Sequence, residues 1–152
     1  MAETRIHPVT GKSLKRDIRP FTVEYGSMAR EVALPGWYPD DDGDAVHSGL
    51  DLAEADEVFL ELRAAYAAHV REVRKSLGLT QEEAGEIIGG GKRAFQKYES
   101  GKAPPSDAAV GLIEILSRQP KAIEVLKEIR RMPGTGKLGK RAGHKRRERA
   151  VA

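Results

Sequence analysis

No cysteine occurs in the 152 residues. Disulfides, thiolate metal sites and cysteine nucleophiles are therefore excluded together. Aromatic residues are scarce, at 5% with a single Trp, so a core must be built mainly from Leu, Ile, Val and Ala. No apolar run approaches the roughly 18 residues that a membrane span needs. The opening Met1-Ala2-Glu3-Thr4-Arg5 lacks the apolar stretch of a signal peptide. No Ser/His/Asp set or pair of acids in an apolar context is present. Gly89-Gly90-Gly91 lacks the Lys-Ser/Thr continuation of a phosphate loop. The acidic run Asp40-Asp41-Asp42-Gly43-Asp44 fails as a calcium loop. Counted from Asp40, Ala45 stands where Gly is required and Asp51 where Glu is expected. These absences lead to the expectation of a cytoplasmic, non-enzymatic protein with no membrane association, no catalytic residues, no cofactor and no metal.

The charge that is present is unevenly placed. Residues 1–65 hold 7 Lys/Arg against 13 Asp/Glu, net −6; residues 66–132 hold 12 against 9, net +3; residues 133–152 hold 7 against 1, net +6. A basic half suits nucleic acid, and an acidic half suits a basic partner. The last segment, with Lys137, Lys140, Arg141, Lys145, Arg146, Arg147 and Arg149, has almost nothing to bury. It reads as a disordered basic tail that adds non-specific attraction to phosphate.

Alternating apolar residues from Leu14 to Glu24 and from Arg30 to Tyr38, around Tyr25-Gly26-Ser27, predict a β-hairpin. Residues 1–13 read as loop, and Ala45-Val46-His47-Ser48 as a short third strand. Trp37 is expected in the core, and His47 and His69 as packing residues. A helix should start at Asp51, with Glu54 completing a capping box. Its apolar spacing runs from Leu52 to Leu77, long enough to suggest a break near Ala67–His69, and Gly78 should end it. Thr80-Gln81-Glu82-Glu83 is a second capping box. It opens a helix that Gly89-Gly90-Gly91 should stop. Further helices are predicted from Lys92 to Glu99, after the cap Ser106, and after Pro120. The expected fold class is α+β: a small N-terminal β-hairpin domain plus an all-α, five-helix helix-turn-helix domain. The expected division is 1–65 for the β-rich domain with its linker helix, 66–132 for the helical domain and 133–152 for the tail.

Two short helices around a tight Gly turn form a helix-turn-helix arrangement. In the second helix Ala94, Phe95 and Tyr98 make an inward stripe, leaving Lys92, Arg93, Gln96 and Lys97 to reach bases and phosphates. N–H groups at the helix starts near Gln81 and Lys92 offer phosphate sites. The candidate DNA-binding set is Thr80, Gln81, Lys92, Arg93, Gln96 and Lys97.

The run Leu79-Thr80-Gln81-Glu82-Glu83-Ala84 through Tyr98-Glu99-Ser100-Gly101 resembles the Cro/repressor (XRE-type) helix-turn-helix. Its specific form, Ile88-Gly89-Gly90-Gly91-Lys92-Arg93-Ala94-Phe95-Gln96-Lys97-Tyr98-Glu99-Ser100-Gly101, is similar to that of the MqsA (YgiT-type) antitoxins. So are Pro8-Val9-Thr10-Gly11, Arg16-Asp17-Ile18-Arg19-Pro20, Leu34-Pro35-Gly36-Trp37-Tyr38 and Val46-His47-Ser48-Gly49. The resemblance implies a type II antitoxin. Its N-terminal domain would bind an RNA-cleaving toxin. Its C-terminal domain would form a homodimer and repress the shared operon at operator DNA, with Arg93 and Lys97 at the base-reading positions. The alternative is a stand-alone XRE-type regulator without a toxin; a third reading is a general nucleic-acid binder led by the tail. The family commonly holds zinc through two Cys-x-x-Cys pairs. The corresponding positions here are His7, Thr10, Pro39 and Asp42. Pro has no side-chain ligand atom and Thr is a poor ligand, so a four-coordinate structural site is not expected.

Overall fold

The computed structural model describes residues 3–131. The basic tail, 133–152, lies outside the described residues. Three antiparallel strands are followed by five α-helices, an α+β arrangement: β1 (Thr4–Ile6), β2 (Ser13–Tyr25), β3 (Met28–Tyr38), α1 (Gly49–Ser76), α2 (Gln81–Ile87), α3 (Ala94–Ser100), α4 (Asp107–Arg118) and α5 (Ile123–Arg131). A 3₁₀ turn, Pro120–Ala122, precedes α5. The chain divides into two compact units. One holds the described residues up to His69 together with Lys97–Pro104; the other holds Val70–Gln96 and the described residues from Pro105.

In the first unit the hairpin closes through Gly26-Ser27, with Tyr25 paired to Met28. Gly26 has φ +60° and Ser27 does not have positive φ. Glycine at the first central position suits the primed turns that match strand twist. The register puts Val23, Tyr25, Val32, Leu34 and Tyr38 on one face, and all five are buried. Tyr25 meets Phe59 and Tyr66 of α1 edge-on, with centroids 5.5 and 5.9 Å apart. The opposite face carries Ile18, Pro20, Ala33 and Pro35, of which only Pro35 is partly covered.

Pro20 and Pro35 lie inside the strands rather than at their ends. Trp37 exchanges both backbone hydrogen bonds with Val46, so odd-numbered residues of β3 turn their backbone groups outward. By antiparallel alternation, neither proline removes a bond from the β2–β3 ladder.

Two expectations for the sheet differ from the structure. Thr4–Ile6, expected as loop, pairs with Ser13–Lys15 and makes the sheet three-stranded. The expected strand at 45–48 is reduced to one bridge between Val46 and Trp37. Trp37 is buried as expected, with the guanidinium groups of Arg5 and Arg16 at 4.4 and 5.4 Å from its ring. His47 Nδ1 donates to the Pro35 carbonyl at 2.8 Å, and its ring packs edge-on against Tyr38. The His69 ring lies 6.0 Å from that of Tyr66.

Helix α1 begins at Gly49, not Asp51, and Asp51 closes its box rather than opening it. The Asp51 N–H donates to Ser48 Oγ at 3.2 Å, and the Ser48 N–H donates to Asp51 Oδ2 at 2.9 Å. Asp51 is buried, and Arg16 donates to both of its oxygens at 2.9 and 3.0 Å. The Arg16 bonds, followed by the Ser48 N–H, hold the Asp51 carboxyl well below the usual carboxylate range. A carboxyl depressed on folding stabilises above its unfolded pKa, and that stability is lost as pH falls below it. Asp51→Asn is therefore expected to lower the melting temperature at pH 7. The wild-type and variant curves should converge below pH 4, as thermal melts across that range would show.

The break expected near Ala67–His69 is absent, and α1 runs unbroken to Ser76. Neither Pro nor Gly interrupts it after Gly49. Buried Ala55, Val58, Leu62, Tyr66, Val70 and Val73 keep helical phase throughout. It ends at Gly78, φ +70°, in a Schellman motif. The Leu79 N–H donates to the Arg74 carbonyl and the Gly78 N–H to that of Lys75.

The core of the second unit comprises Val70, Val73, Leu79, Ala84, Ile88, Ala94, Phe95, Ala109, Ile113, Leu116 and Ile123. Ser106 Oγ caps α4 by accepting from the Ala109 N–H at 3.3 Å. Pro120 occupies the first turn before α5, where its missing N–H costs nothing.

Candidate nucleic-acid interface

Helix α2 starts in a complete capping box. Thr80 Oγ1 accepts from the Glu83 N–H, and Glu83 Oε1 accepts from the Thr80 N–H, both at 3.2 Å. The phosphate site expected near Gln81 is thereby altered. Two of the local N–H groups are spent on the box, and the carboxylates of Glu82 and Glu83 stand in the first turn. The box uses only the acceptor side of the Thr80 hydroxyl. Thr80 is exposed and Gln81 half-buried.

After α2 the chain passes through Gly89, Gly90 and Gly91, with φ of +134°, +94° and +93°. Only glycine takes three such values without strain. The turn packs back on α2: the Gly91 N–H donates to the Gly85 carbonyl at 3.2 Å. A Cβ on Gly85 would meet the Gly91 carbonyl oxygen at 2.0 Å. Gly85, absent from the candidate set, therefore holds the geometry of the turn. Its signal was legible as a glycine inside a short capped helix four residues before a glycine triplet.

The helix expected from Lys92 begins instead at Ala94, so Lys92 and Arg93 lie in the turn. The glycine conformations and the Gly85 contact delay helical geometry until Gly91 can accept from the Ala94 N–H, at 3.1 Å. The helix start expected near Lys92 thus falls two residues later, at Ala94. Ala94 and Phe95 are buried and Tyr98 half-buried, while Lys92, Arg93, Gln96 and Lys97 are exposed. Lys92 Nζ lies 3.8 Å from Glu82 Oε1, which brings it to the first turn of α2. Arg93 and Gln96 flank the buried pair, and Lys97 follows on the same helix. Glu99, which is not among the sequence-predicted site residues, is buried at 5% exposure. Gly101, φ +74°, ends α3 in a second Schellman motif, with the Lys102 N–H on the Lys97 carbonyl and the Gly101 N–H on that of Tyr98.

The four positions corresponding to zinc ligands do not form a metal site. His7 is buried, and its Nδ1 accepts from the N–H groups of Val9 and Thr10, both at 3.1 Å. Its lone pair on that nitrogen is committed to its own turn. Thr10 Oγ1 faces the Lys12 N–H, and Pro39 offers only a carbonyl, which binds Arg19. Among the described residues no group of three or more His, Asp or Glu is placed to hold a metal ion.

The fold defines a two-unit α+β protein whose short paired helices α2 and α3 follow the sheet and the long helix α1. The family model of the antitoxin component of bacterial toxin–antitoxin systems, MqsA, matches residues 14–130, most of the chain. The chain belongs to the MqsA antitoxin family. It is 49% identical over 59 residues to Antitoxin MqsA of Escherichia coli (strain K12). That match covers 39% of this chain and 43% of the relative, so the chain matches less than half of the relative's length. Among the described residues no helix is long and apolar enough to cross a membrane.

Proposed function

We propose that this chain is a type II antitoxin and, as a homodimer, a sequence-specific repressor of its own toxin–antitoxin operon. Helices α2 and α3 with their glycine turn act as a helix-turn-helix. The observation that carries this reading is the exposure of Arg93, Gln96 and Lys97 beside the buried anchors Ala94 and Phe95. Long donors on a rigid support suit guanine O6/N7 and adenine N6/N7. Thr80 and Lys92 serve phosphates, and Gln81, half-buried, orients at the α2 start. The exposed Ile115, Val125 and Ile129 of the second unit, at 51%, 57% and 42%, supply apolar surface for the homodimer.

The first unit takes the toxin. Its open sheet face has a shallow groove lined by Arg16, Asp17, Ile18 and Pro35. Residues 1–65 carry net −6, which suits a basic, RNA-cleaving partner whose own surface must attract phosphate. The reading makes the protein non-enzymatic and cytoplasmic. A stand-alone regulator remains the second reading. Co-purification with the product of an adjacent toxin-sized reading frame separates the two.

Arg93→Ala and Lys97→Ala are expected to weaken operator binding by about 1–3 kcal/mol each while leaving the melting temperature unchanged. Titration of operator and random DNA at several salt concentrations checks this. Unchanged operator affinity in both variants would defeat the assignment of α3 as the reading helix.

A further inference from the structure

We propose that the N-terminal unit folds without metal, and that two side-chain cations hold the loops where the family places its zinc ligands: Arg19 pins loop 39–43 to β2, and Lys12 joins segment 7–12 to that loop. A structural zinc ion joins two chain segments by gathering electron-rich ligands around one positive charge. In this chain those segments are 7–12 and 39–43, and each is organised differently.

Segment 7–12 closes on itself. The His7 N–H donates to the Lys12 carbonyl at 2.9 Å and the Gly11 N–H to the His7 carbonyl at 3.0 Å. Gly11 has φ +71°, and His7 Nδ1 takes the two N–H groups inside the turn. His7 Nδ1 is therefore held by backbone, and the tautomer that accepts there carries its proton on Nε2.

Segment 39–43 is gathered by Arg19. Its guanidinium donates to the Pro39 carbonyl at 2.6 Å, to the Asp41 carbonyl at 2.9 Å and, through Nε, to Asp17 Oδ2 at 3.2 Å. The group also stacks over Tyr38 at 4.5 Å. One planar cation thus collects two carbonyls of loop 39–43 and a carboxylate of its own strand β2. Lys12 then links the loops directly, with Nζ 2.7 Å from Asp41 Oδ2, while Asp41 Oδ1 accepts from the Gly43 N–H at 2.8 Å. Lys15 stands 4.0 Å from Asp40.

The electrostatics oppose a metal as well as replacing it. A divalent cation entering this acidic loop would meet Arg19, Lys12 and Lys15, and would have to displace the partners they already hold. The three cations are unequal. Lys12 and Asp41 are 46% and 57% exposed, so their pair is weak and screened by salt. Arg19, 31% exposed, makes charge-assisted bonds in a fixed fork and stacks on an aromatic ring. Arg19 is therefore the firmer hold on loop 39–43, and a lysine, with no planar fork, does not reproduce its set of bonds.

The inference rests on the family membership and on this unit's geometry, and is independent of the operator-binding reading. The test uses the full chain purified without chelator. Metal analysis is combined with thermal melts followed by Trp37 fluorescence, with added EDTA and with added zinc. Expected are substoichiometric zinc and a Trp37 transition unmoved by either addition. Arg19→Lys is expected to lower that transition by several degrees in both the presence and absence of EDTA, and Lys12→Ala to lower it less, with the Lys12 effect disappearing at high salt. One zinc per chain, or a Trp37 transition that EDTA lowers, would overturn the proposal. So would an Arg19→Lys variant that melts like the wild type. If Arg19→Lys fails to fold, the metal and EDTA measurements on the wild type decide the question.

Discussion

Phe95→Ala is expected to destabilise the second unit by about 3–5 kcal/mol, the usual cost of removing a large side chain from a packed core. Phe95 is 1% exposed, and it shares its core with Ala84, Ile88, Ile113 and Leu116, all nearly or fully buried. Its neighbours sit on short helices, each pinned by a cap or a turn, so collapse around the lost ring is restricted. The loss includes both the transfer term and a cavity term that relaxation does not remove. Urea denaturation followed by far-ultraviolet circular dichroism measures it as a lower midpoint. Phe95→Leu should fall between variant and wild type, because it retains part of the volume. Arg93→Ala, two positions earlier, should leave that midpoint unchanged, since Arg93 is exposed and Phe95 buried. A Phe95→Ala midpoint equal to that of the wild type would contradict the packing.

Tyr66→Ala should cost the first unit a comparable amount, about 3–5 kcal/mol. Tyr66 is fully buried and stands edge-on to Tyr25, whose strand ends at the hairpin turn. The turn itself depends on this ring. A Cβ on Gly26 would lie 2.6 Å from the Tyr66 ring atoms, and Gly26 has φ +60°. Gly26→Ala therefore carries two penalties. The left-handed backbone costs about 1–2 kcal/mol, and overpacking against a ring that cannot retreat costs about 1–3 kcal/mol more. Only the second depends on Tyr66. In a double-mutant cycle, Gly26→Ala should be less damaging in the Tyr66→Ala background than in the wild type, since residues in contact do not add. Melts followed by Trp37 fluorescence provide all four values. Strict additivity would mean that the ring and the turn are not in contact.

Much of this architecture was legible because its signals are short-range. Thr80 with Glu83, Ser106, Gly78 and Gly101 are caps whose partners lie within a few residues. The Gly26 turn sits between two alternating runs. The stripe Ala94/Phe95 follows from helical spacing alone. Such features survive reading from one chain because the hydrogen bonds they satisfy are local. The family resemblance was carried by the same punctuation, together with the glycine triplet and the basic residues after it.

What sequence by itself determined here is where the chain turns, where most helices start and stop, and which residue types face outward after the glycine triplet. Tertiary structure decided the rest, through partners distant in sequence. Thr4–Ile6 becomes a strand because β2 offers an edge, although three exposed residues carry no strand signal of their own. Asp51 is a closing residue of the α1 cap because Ser48 faces it and Arg16, 35 residues earlier, neutralises it. Lys92 and Arg93 stay out of α3 because Gly91 packs on Gly85 before the helix begins. Arg19 and Lys12 become the ties of loop 39–43 because the sheet register and the β1–β2 turn bring them to it. A charge in a sequence has no direction until the backbone around it is folded, and for that reason the contacts of Arg19 and Lys12 with loop 39–43 emerged only from the three-dimensional structure.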